Sequence, residues 1–289
     1  QILSLQQQTH KNWILYIRDD GSTDSTLEIL ENFSKSDNRI KIIKDDLGSN
    51  LGAGKNFIAL TKYSLSEYVI FCDQDDIWFE KKLELLLKFM LEKSKKYIPT
   101  LVYCDGYGYS ENEGIITIPS ISTNHAKNLN EFLFFNAGYQ GCSMMFNKEL
   151  NSLCSDYKAD YFYMHDSVLA LLAHTFGEVY FLPKKLMLYR QHSKNVTGNI
   201  DITILGYLKR VLSTKSFVLS KKHYDEKLSF YEAYKDVIDD KNKKLFESYI
   251  EFPKLNLVSR LLLLIKNNFS LGGNKLGLIV KTILRRPIQ

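Results

Sequence analysis

The sequence predicts an α/β fold, with a mostly parallel sheet flanked by helices and a C-terminal helical region. Three observations predict it. Continuous apolar runs of strand length occur at residues 13–17, 68–72 and 101–104, and runs without polar alternation fit strands buried on both faces. Segments of helical periodicity separate those runs, which is the order expected of a parallel sheet. Acidic clusters stand directly after the first two runs, at the strand ends where such sheets collect ligands.

Taken in order, residues 1–8 place Ile2, Leu3 and Leu5 in a helical register, and Thr9-His10-Lys11-Asn12 reads as a turn. The strand at 13–17 ends at Arg18-Asp19-Asp20-Gly21, after which Ser25-Thr26-Leu27-Glu28 has the form of a capping box. The helix it opens buries Leu27, Ile29 and Leu30 and continues to about Phe33. Residues 40–43 form a second strand, residues 47–56 a glycine-rich loop, and residues 57–63 a helix. The strand at 68–72 runs into Asp73-Gln74-Asp75-Asp76, and residues 79–97 follow as a long amphipathic helix. Beyond the strand at 101–104, residues 111–130 are irregular. Gly138 and Gly141 point to close backbone approach before a strand at 143–146. Residues 167–175 are an apolar helix, and two short strands follow at 179–182, ended by Pro183, and at 186–189. Helical periodicity rich in Lys, Leu and Tyr takes over near Asn199, which divides the chain into a domain at 1–198 and a helical region at 199–289.

With 289 residues, 45% of them hydrophobic, the chain can bury a substantial core, which excludes disorder and collagen-like repetition. The net charge of +5 suits anionic small molecules or an anionic membrane. No compact Lys/Arg block appears, so nucleic acid is not an expected partner. Cys72, Cys104, Cys142 and Cys154 form no C-x-x-C pair. A zinc site is therefore not expected, and a reducing, cytoplasmic setting is the simpler reading. No leader and no run of about 18 apolar residues is present. The chain begins with Gln inside a helix, which suggests a preceding segment.

Three carboxylates within residues 73–76 repel one another unless a cation or strong donors compensate. A hard divalent cation bridging to a diphosphate is one compensation. A solvated turn whose Asp residues cap the next helix is the other, and the four residues alone leave both open. In Asp19-Asp20-Gly21-Ser22-Thr23-Asp24-Ser25, a carboxylate can accept the imide N–H of a pyrimidine base. A plain turn with an N-cap explains that segment equally simply.

Together these segments resemble the family 2 glycosyltransferases of the GT-A (Rossmann-like) fold. The resemblance is carried by residues 19–26, by Asn50-Leu51-Gly52-Ala53-Gly54-Lys55-Asn56, by Phe71-Cys72-Asp73-Gln74-Asp75-Asp76-Ile77-Trp78 and by His165-Asp166. Residues 189–198, reading Tyr-Arg-Gln-His-Ser-Lys-Asn-Val-Thr-Gly, resemble a segment of bacterial rhamnosyltransferase-like, O-antigen and capsule polysaccharide transferases.

The resemblance implies an inverting, metal-dependent transferase. Its donor would be a nucleotide sugar, dTDP-rhamnose or a UDP-sugar, and its acceptor a hydroxyl of a glycan or lipid-linked saccharide. It also implies residue roles. Asp166 is the catalytic base. Asp19, Asp20, Lys55, Asn56, Asp73 and Asp75 serve the donor. Asp75, Asp76 and His192 hold Mg²⁺ or Mn²⁺, with Asp73 the less certain member of the acidic cluster. His165 and Trp78 lie on the acceptor side, although a core aromatic is the simpler reading of Trp78. Lys55 replaces the Arg common in the family, and a surface lysine is an equal reading of it.

Two departures qualify the resemblance. His165 stands where the family often has Glu. The family's opening strand lies ahead of residue 1, which predicts weak donor binding by residues 1–289 alone. Two other functions fit parts of the pattern: a sugar-phosphate nucleotidyltransferase, and a non-catalytic nucleotide- or carbohydrate-binding module. The basic, apolar segments at 260–266 and 276–286 suit either the inner face of an anionic membrane or a helical subdomain packed on the catalytic core.

Overall fold

A computed structural model describes residues 1–45, 50–110, 114–122, 125–135, 139–191 and 217–289. After a short helix α1 (Ile2–Gln6), strands β1 (Leu15–Ile17) and β2 (Ile40–Ile42) pair in parallel, with Leu15 opposite Ile40. Helix α2 (Thr26–Ser36) connects them. Its start differs from the expected capping box. The Ser25 side chain makes no cap bond, and the Asp24 carboxylate accepts the Thr26 N–H at 3.0 Å instead. Only Leu30 of the three expected apolar residues is buried, while Leu27 and Ile29 are exposed.

The main sheet contains β3 (Tyr68–Ile70), β4 (Ile77–Trp78), β5 (Thr100–Ser110), β6 (Ile115–Ile118), β7 (Met144–Asn147) and β8 (Glu178–Gln191). The order is β3-β7-β5-β8-β4, with β6 paired to β5. Strands β5 and β8 are parallel, and β7 is antiparallel to both β3 and β5. The α/β layering is as expected, but the strand directions are mixed rather than mostly parallel, because β7 is inserted antiparallel between β3 and β5, β4 runs antiparallel to β8, and β6 runs antiparallel to β5.

Two further differences concern this sheet. Strand β6 falls inside the stretch that reads as irregular. The two strands expected around Pro183 are one, in which Leu182 pairs with Cys104 and Lys185 with Asp105. Pro183 and Lys184 are thus extra residues in a bulge, a place where a residue without an N–H is tolerated.

Helices cover both faces. Strand β5 alternates between them, sending Leu101 and Tyr103 to one core and Val102 and Cys104 to the other. On the first side lie α3 (Ala53–Thr61), α5 (Leu129–Phe132), α6 (Lys148–Ser155) and α7 (His165–Phe176). Helix α7 is buried nearly all round, which explains its lack of an apolar stripe. On the second side α4 (Lys82–Lys93) packs Leu83, Leu86 and Met90 against Met145 and Met187.

The C-terminal region forms β9 (Phe217–Leu219), α8 (Lys221–Tyr234), α9 (Asp240–Glu251), α10 (Leu257–Lys266), α11 (Lys275–Leu284) and β10 (Arg286–Ile288), with β9 and β10 parallel. Phe230, Phe246, Phe252, Leu264 and Leu278 join the same core as Phe134 and Leu172. The expected boundary near Asn199 lies outside the described residues. Among those residues, no helix is long and apolar enough to cross a membrane.

Candidate active site

Strand β3 delivers the chain to the acidic cluster, and β4 takes it away by pairing with β8, where Ile77 faces Leu188. Gln74 and Asp75 form the turn between them. The first and last residues of such a turn come close together while the central two sit at its tip. Asp73 and Asp76 therefore converge, and with the Cys142 sulfur their ligand atoms lie within 4.8 Å of one another. Asp75 is half-exposed at the tip. Asp75 and Asp76, the expected metal-side pair, are neighbours in this turn, and Asp73 closes on Asp76 from its other end. His192, the third expected metal ligand, lies outside the described residues.

These carboxylates are under-compensated. Asp76 is 1% exposed and accepts the Arg190 backbone N–H at 3.3 Å on Oδ1, but its Oδ2 has no partner, and neither has Oδ1 of Asp73. Burial pushes Asp73 up to about 8, and the nearby charges of Asp76, Asp166 and Asp75 add to the rise. Burial likewise pushes Asp76 up to about 6, against the Cys142 thiol and the Lys82 ammonium, which favour its charged form. The Cys142 thiol is itself held well above its ordinary range, by burial first and by the two carboxylates next. It acts as a hydrogen-bond donor to them rather than as a thiolate ligand. Buried oxygens without partners and a set of hard carboxylate donors fit Mg²⁺ or Mn²⁺.

Sequence reasoning missed Lys82. Its ammonium is fully buried at the start of α4, donates to the Cys142 carbonyl at 2.6 Å and lies 3.7 Å from the centre of the Trp78 ring. No sequence signal separates it from the solvated lysines of that helix. Trp78 is 3% exposed and packs in the core beside it, so its ring offers no surface to an acceptor.

Helix α7 begins beside this turn, and Asp166 stands in its first turn. Burial pushes Asp166 up to about 7, opposed by the Ser167 N–H that its Oδ1 accepts at 2.7 Å and reinforced by the charge of Glu226. Glu226, from α8, accepts the Tyr163 N–H at 2.9 Å and the Ser167 hydroxyl, and so fixes the chain on either side of Asp166. It lies 60 residues away in sequence from Asp166, and nothing in its local pattern points to the site.

His165 faces the other way. It is 5% exposed, stacked on Phe57 at 4.0 Å and edge-on to Phe71 at 4.7 Å. Burial lowers its pKa to about 3, so the ring is neutral. A Cβ on Gly141 would lie 2.5 Å from its Nε2, which is the close approach expected of that glycine. The ring packs against Phe57 and Phe71, and both of its nitrogens are buried without a hydrogen-bond partner.

The acids of the other cluster are all hydrogen-bonded to neighbouring backbone or side chains. Asp19 Oδ2 accepts the N–H groups of Gly21 and Ser22 at 3.0 and 2.9 Å. Asp20 accepts Leu51 N–H at 2.7 Å, Gly52 N–H at 2.8 Å and Arg18 Nη1 at 3.0 Å. Arg18 is buried and also donates to both carboxylate oxygens of Asp45 and to Asn56 Oδ1, while Asn56 Nδ2 returns a bond to the Arg18 carbonyl. Asp20 and Asn56 thus clamp the glycine loop onto the end of β1. Gly52, with φ +77°, caps α3 in a conformation that glycine adopts readily. Gly54 lets α3 approach α7, since a Cβ there would meet Phe162 at 3.2 Å and the Met164 Cα at 3.5 Å. Lys55 is exposed on the first turn of α3.

An α/β sheet with an under-compensated acidic turn and a buried carboxylate at an adjacent helix start is the arrangement found here, and the fold is that of the GT-A glycosyltransferases. Residues 2–152 match the model of glycosyl transferase family 2. The chain is 33% identical over 225 residues to the dTDP-rhamnosyl transferase RfbG of Shigella flexneri, covering 73% of each protein. It belongs to glycosyl transferase family 2. Its fold is similar to that of S. aureus TarS 1-349, solved in complex with UDP-GlcNAc (TM-score 0.54, 15% identity, 93% of this chain and 68% of that one). It is also similar to the mannosyltransferase PcManGT from Pyrobaculum calidifontis, solved in complex with GDP-Man and Mn²⁺ (TM-score 0.52, 10% identity, 98% and 81%).

Proposed function

We propose that the protein moves a sugar, with inversion, from a nucleoside-diphosphate donor to a hydroxyl of a glycan or lipid-linked acceptor in cell-surface polysaccharide biosynthesis. The observation that carries this reading is the grouping of Asp73, Asp76 and Asp166: burial raises all three carboxyl groups, and at Asp73 the charges of Asp76 and Asp166 add to the rise. The similarity to RfbG favours dTDP-rhamnose, with a UDP-sugar as the alternative donor.

In this mechanism Asp166 takes the proton of the acceptor hydroxyl as that oxygen bonds to the anomeric carbon. The bond from that carbon to the diphosphate breaks, and the nucleoside diphosphate leaves with the electron pair. A base near pH 7 is matched to such a proton transfer. Asp73 and Asp76, with Asp75 at the turn tip, would hold Mg²⁺ or Mn²⁺, and a bound ion would neutralise charge on the departing diphosphate; PcManGT was solved with Mn²⁺. Lys55 and the amino end of α3 would face the phosphates, while Asp19, Asp20 and Asn56 shape the loop against the nucleotide. We read residues 1–198 as the catalytic unit of a cytoplasmic enzyme and 199–289 as a helical region sharing its core.

The test is a donor panel with Mn²⁺ and the full-length protein. Release of nucleoside diphosphate, greatest with dTDP-rhamnose, is the expected result. Release of pyrophosphate would indicate a nucleotidyltransferase, and no turnover with any donor would indicate a binding module.

A further inference from the structure

Helices α10 and α11 pack side by side and bury their inner faces through Leu264, Leu278 and Thr282. Their outer faces are apolar as well. On α10, Val258, Leu262 and Ile265 are 66%, 63% and 66% exposed. On α11, Leu276, Val280 and Ile283 are 70%, 37% and 52% exposed. Both sets follow the i, i+4, i+7 spacing that aligns side chains along one helix face. Contiguous exposed stripes of this kind mark interaction surfaces.

The charge around the stripes names the partner. From Phe252 to Gln289 the chain contains no Asp or Glu, whereas Lys254, Arg260, Lys266, Lys275, Lys281 and the pair Arg285-Arg286 are all basic. The preceding helices differ: α8 and α9 mix acids, among them Asp225, Glu232, Glu247 and Glu251, with their lysines. Lys281 is partly buried and Arg260 turns onto Leu255 and Phe252, while Lys266, Lys275 and Arg286 are exposed. An apolar face in a stretch whose charges are all of one sign suits an anionic lipid surface, which takes the apolar side chains at the acyl boundary and exposed cations at the headgroups. A second copy is a poor occupant, because a two-fold contact would set these cations against themselves. Each helix has 10 residues, too short to span a bilayer, which needs about 20, so the pair would lie in the plane of the interface.

We propose that the outer face of α10 and α11 docks the protein on an anionic membrane. This stands independently of the donor chemistry proposed above. The test is flotation of the full-length protein with vesicles of phosphatidylcholine alone and of phosphatidylcholine with phosphatidylglycerol at 7:3. Wild type should float with the anionic vesicles and much less with the neutral ones, and added salt should weaken binding. The double variant Leu262→Asp, Leu276→Asp alters only exposed positions, and its fold is checked by circular dichroism. It should bind at least about tenfold more weakly. Equal binding to both vesicle types, no binding to either, or unchanged binding by a folded double variant would overturn the proposal. So would a wild-type dimer that the double variant converts to monomer, since the face would then be a self-association surface.

Discussion

Two acidic turns follow two apolar strands, and they are built in opposite ways. At the end of β1, Asp19 and Asp20 give their oxygens to backbone N–H groups and to Arg18, which Asp45 and Asn56 also hold. At the end of β3, Asp73 and Asp76 each keep a buried oxygen without a partner and are raised in pKa. Buried polar groups ordinarily find partners. The first cluster holds the glycine loop, and the second is the one for which we propose the cation and the chemistry. Strand-end position alone does not distinguish them; hydrogen-bond accounting does.

The largest expected effect breaks the catalytic side. Asp166→Asn should lower turnover by about a thousandfold while donor binding, measured by calorimetry, changes little. In the wild type, kcat should rise as pH climbs through about 7, because burial raises Asp166 and a base acts only when unprotonated. Retained turnover in the variant would remove Asp166 from the mechanism.

Next comes the scaffold. Arg18→Met leaves Asp45 and Asp20 without their cation in a partly buried setting, which should cost about 3–5 kcal/mol of stability, read by denaturant unfolding. An unchanged midpoint would show that this cluster is not the support described.

A third measurement sharpens the contrast through pH. Asp73 and Asp76 must both lose protons to bind a hard cation, and their raised pKa values of about 8 and about 6 make the folded state hold protons that the unfolded state has released. Without metal, these two groups therefore lower stability as pH rises from about 4 to 8. Mn²⁺ should counter that loss, binding about tenfold or more tightly at pH 8 than at pH 6, as read by thermal shift. A Mn²⁺ effect independent of pH would contradict the assignment. The smallest effect tests the shared wall behind the site: Gly141→Ala pushes a Cβ to 2.5 Å from His165 Nε2 and should cost about 1–3 kcal/mol, measured as a lower melting temperature.

Much of this was legible in the sequence. The apolar runs marked β1, β3 and the start of β5; only the start of β5 is buried throughout, as a run without polar alternation predicts, while β1 and β3 are partly buried. The order of the acidic cluster at 73–76 and Asp166 was legible as a family resemblance. What could not be read depends on contacts between distant residues. Arg18 finds Asp45 27 residues away and Asn56 38 residues away, and Lys82 finds the Cys142 carbonyl 60 residues on. The approach of Asp73 to Asp76 follows from a turn whose position is fixed by β4 pairing with β8. His165 and Trp78 looked like site residues because they adjoin carboxylates, yet each points into packing that other segments supply.

The most direct measurement compares the two acidic turns in one assay. Nucleoside diphosphate release by the full-length protein, at saturating donor and Mn²⁺, is followed for wild type, Asp76→Asn and Asp20→Asn. The account predicts a loss of about a hundredfold or more in kcat for Asp76→Asn. For Asp20→Asn it predicts a kcat within about tenfold of wild type, with the damage falling on stability and KM. Full kcat in Asp76→Asn together with lost kcat in Asp20→Asn would contradict it.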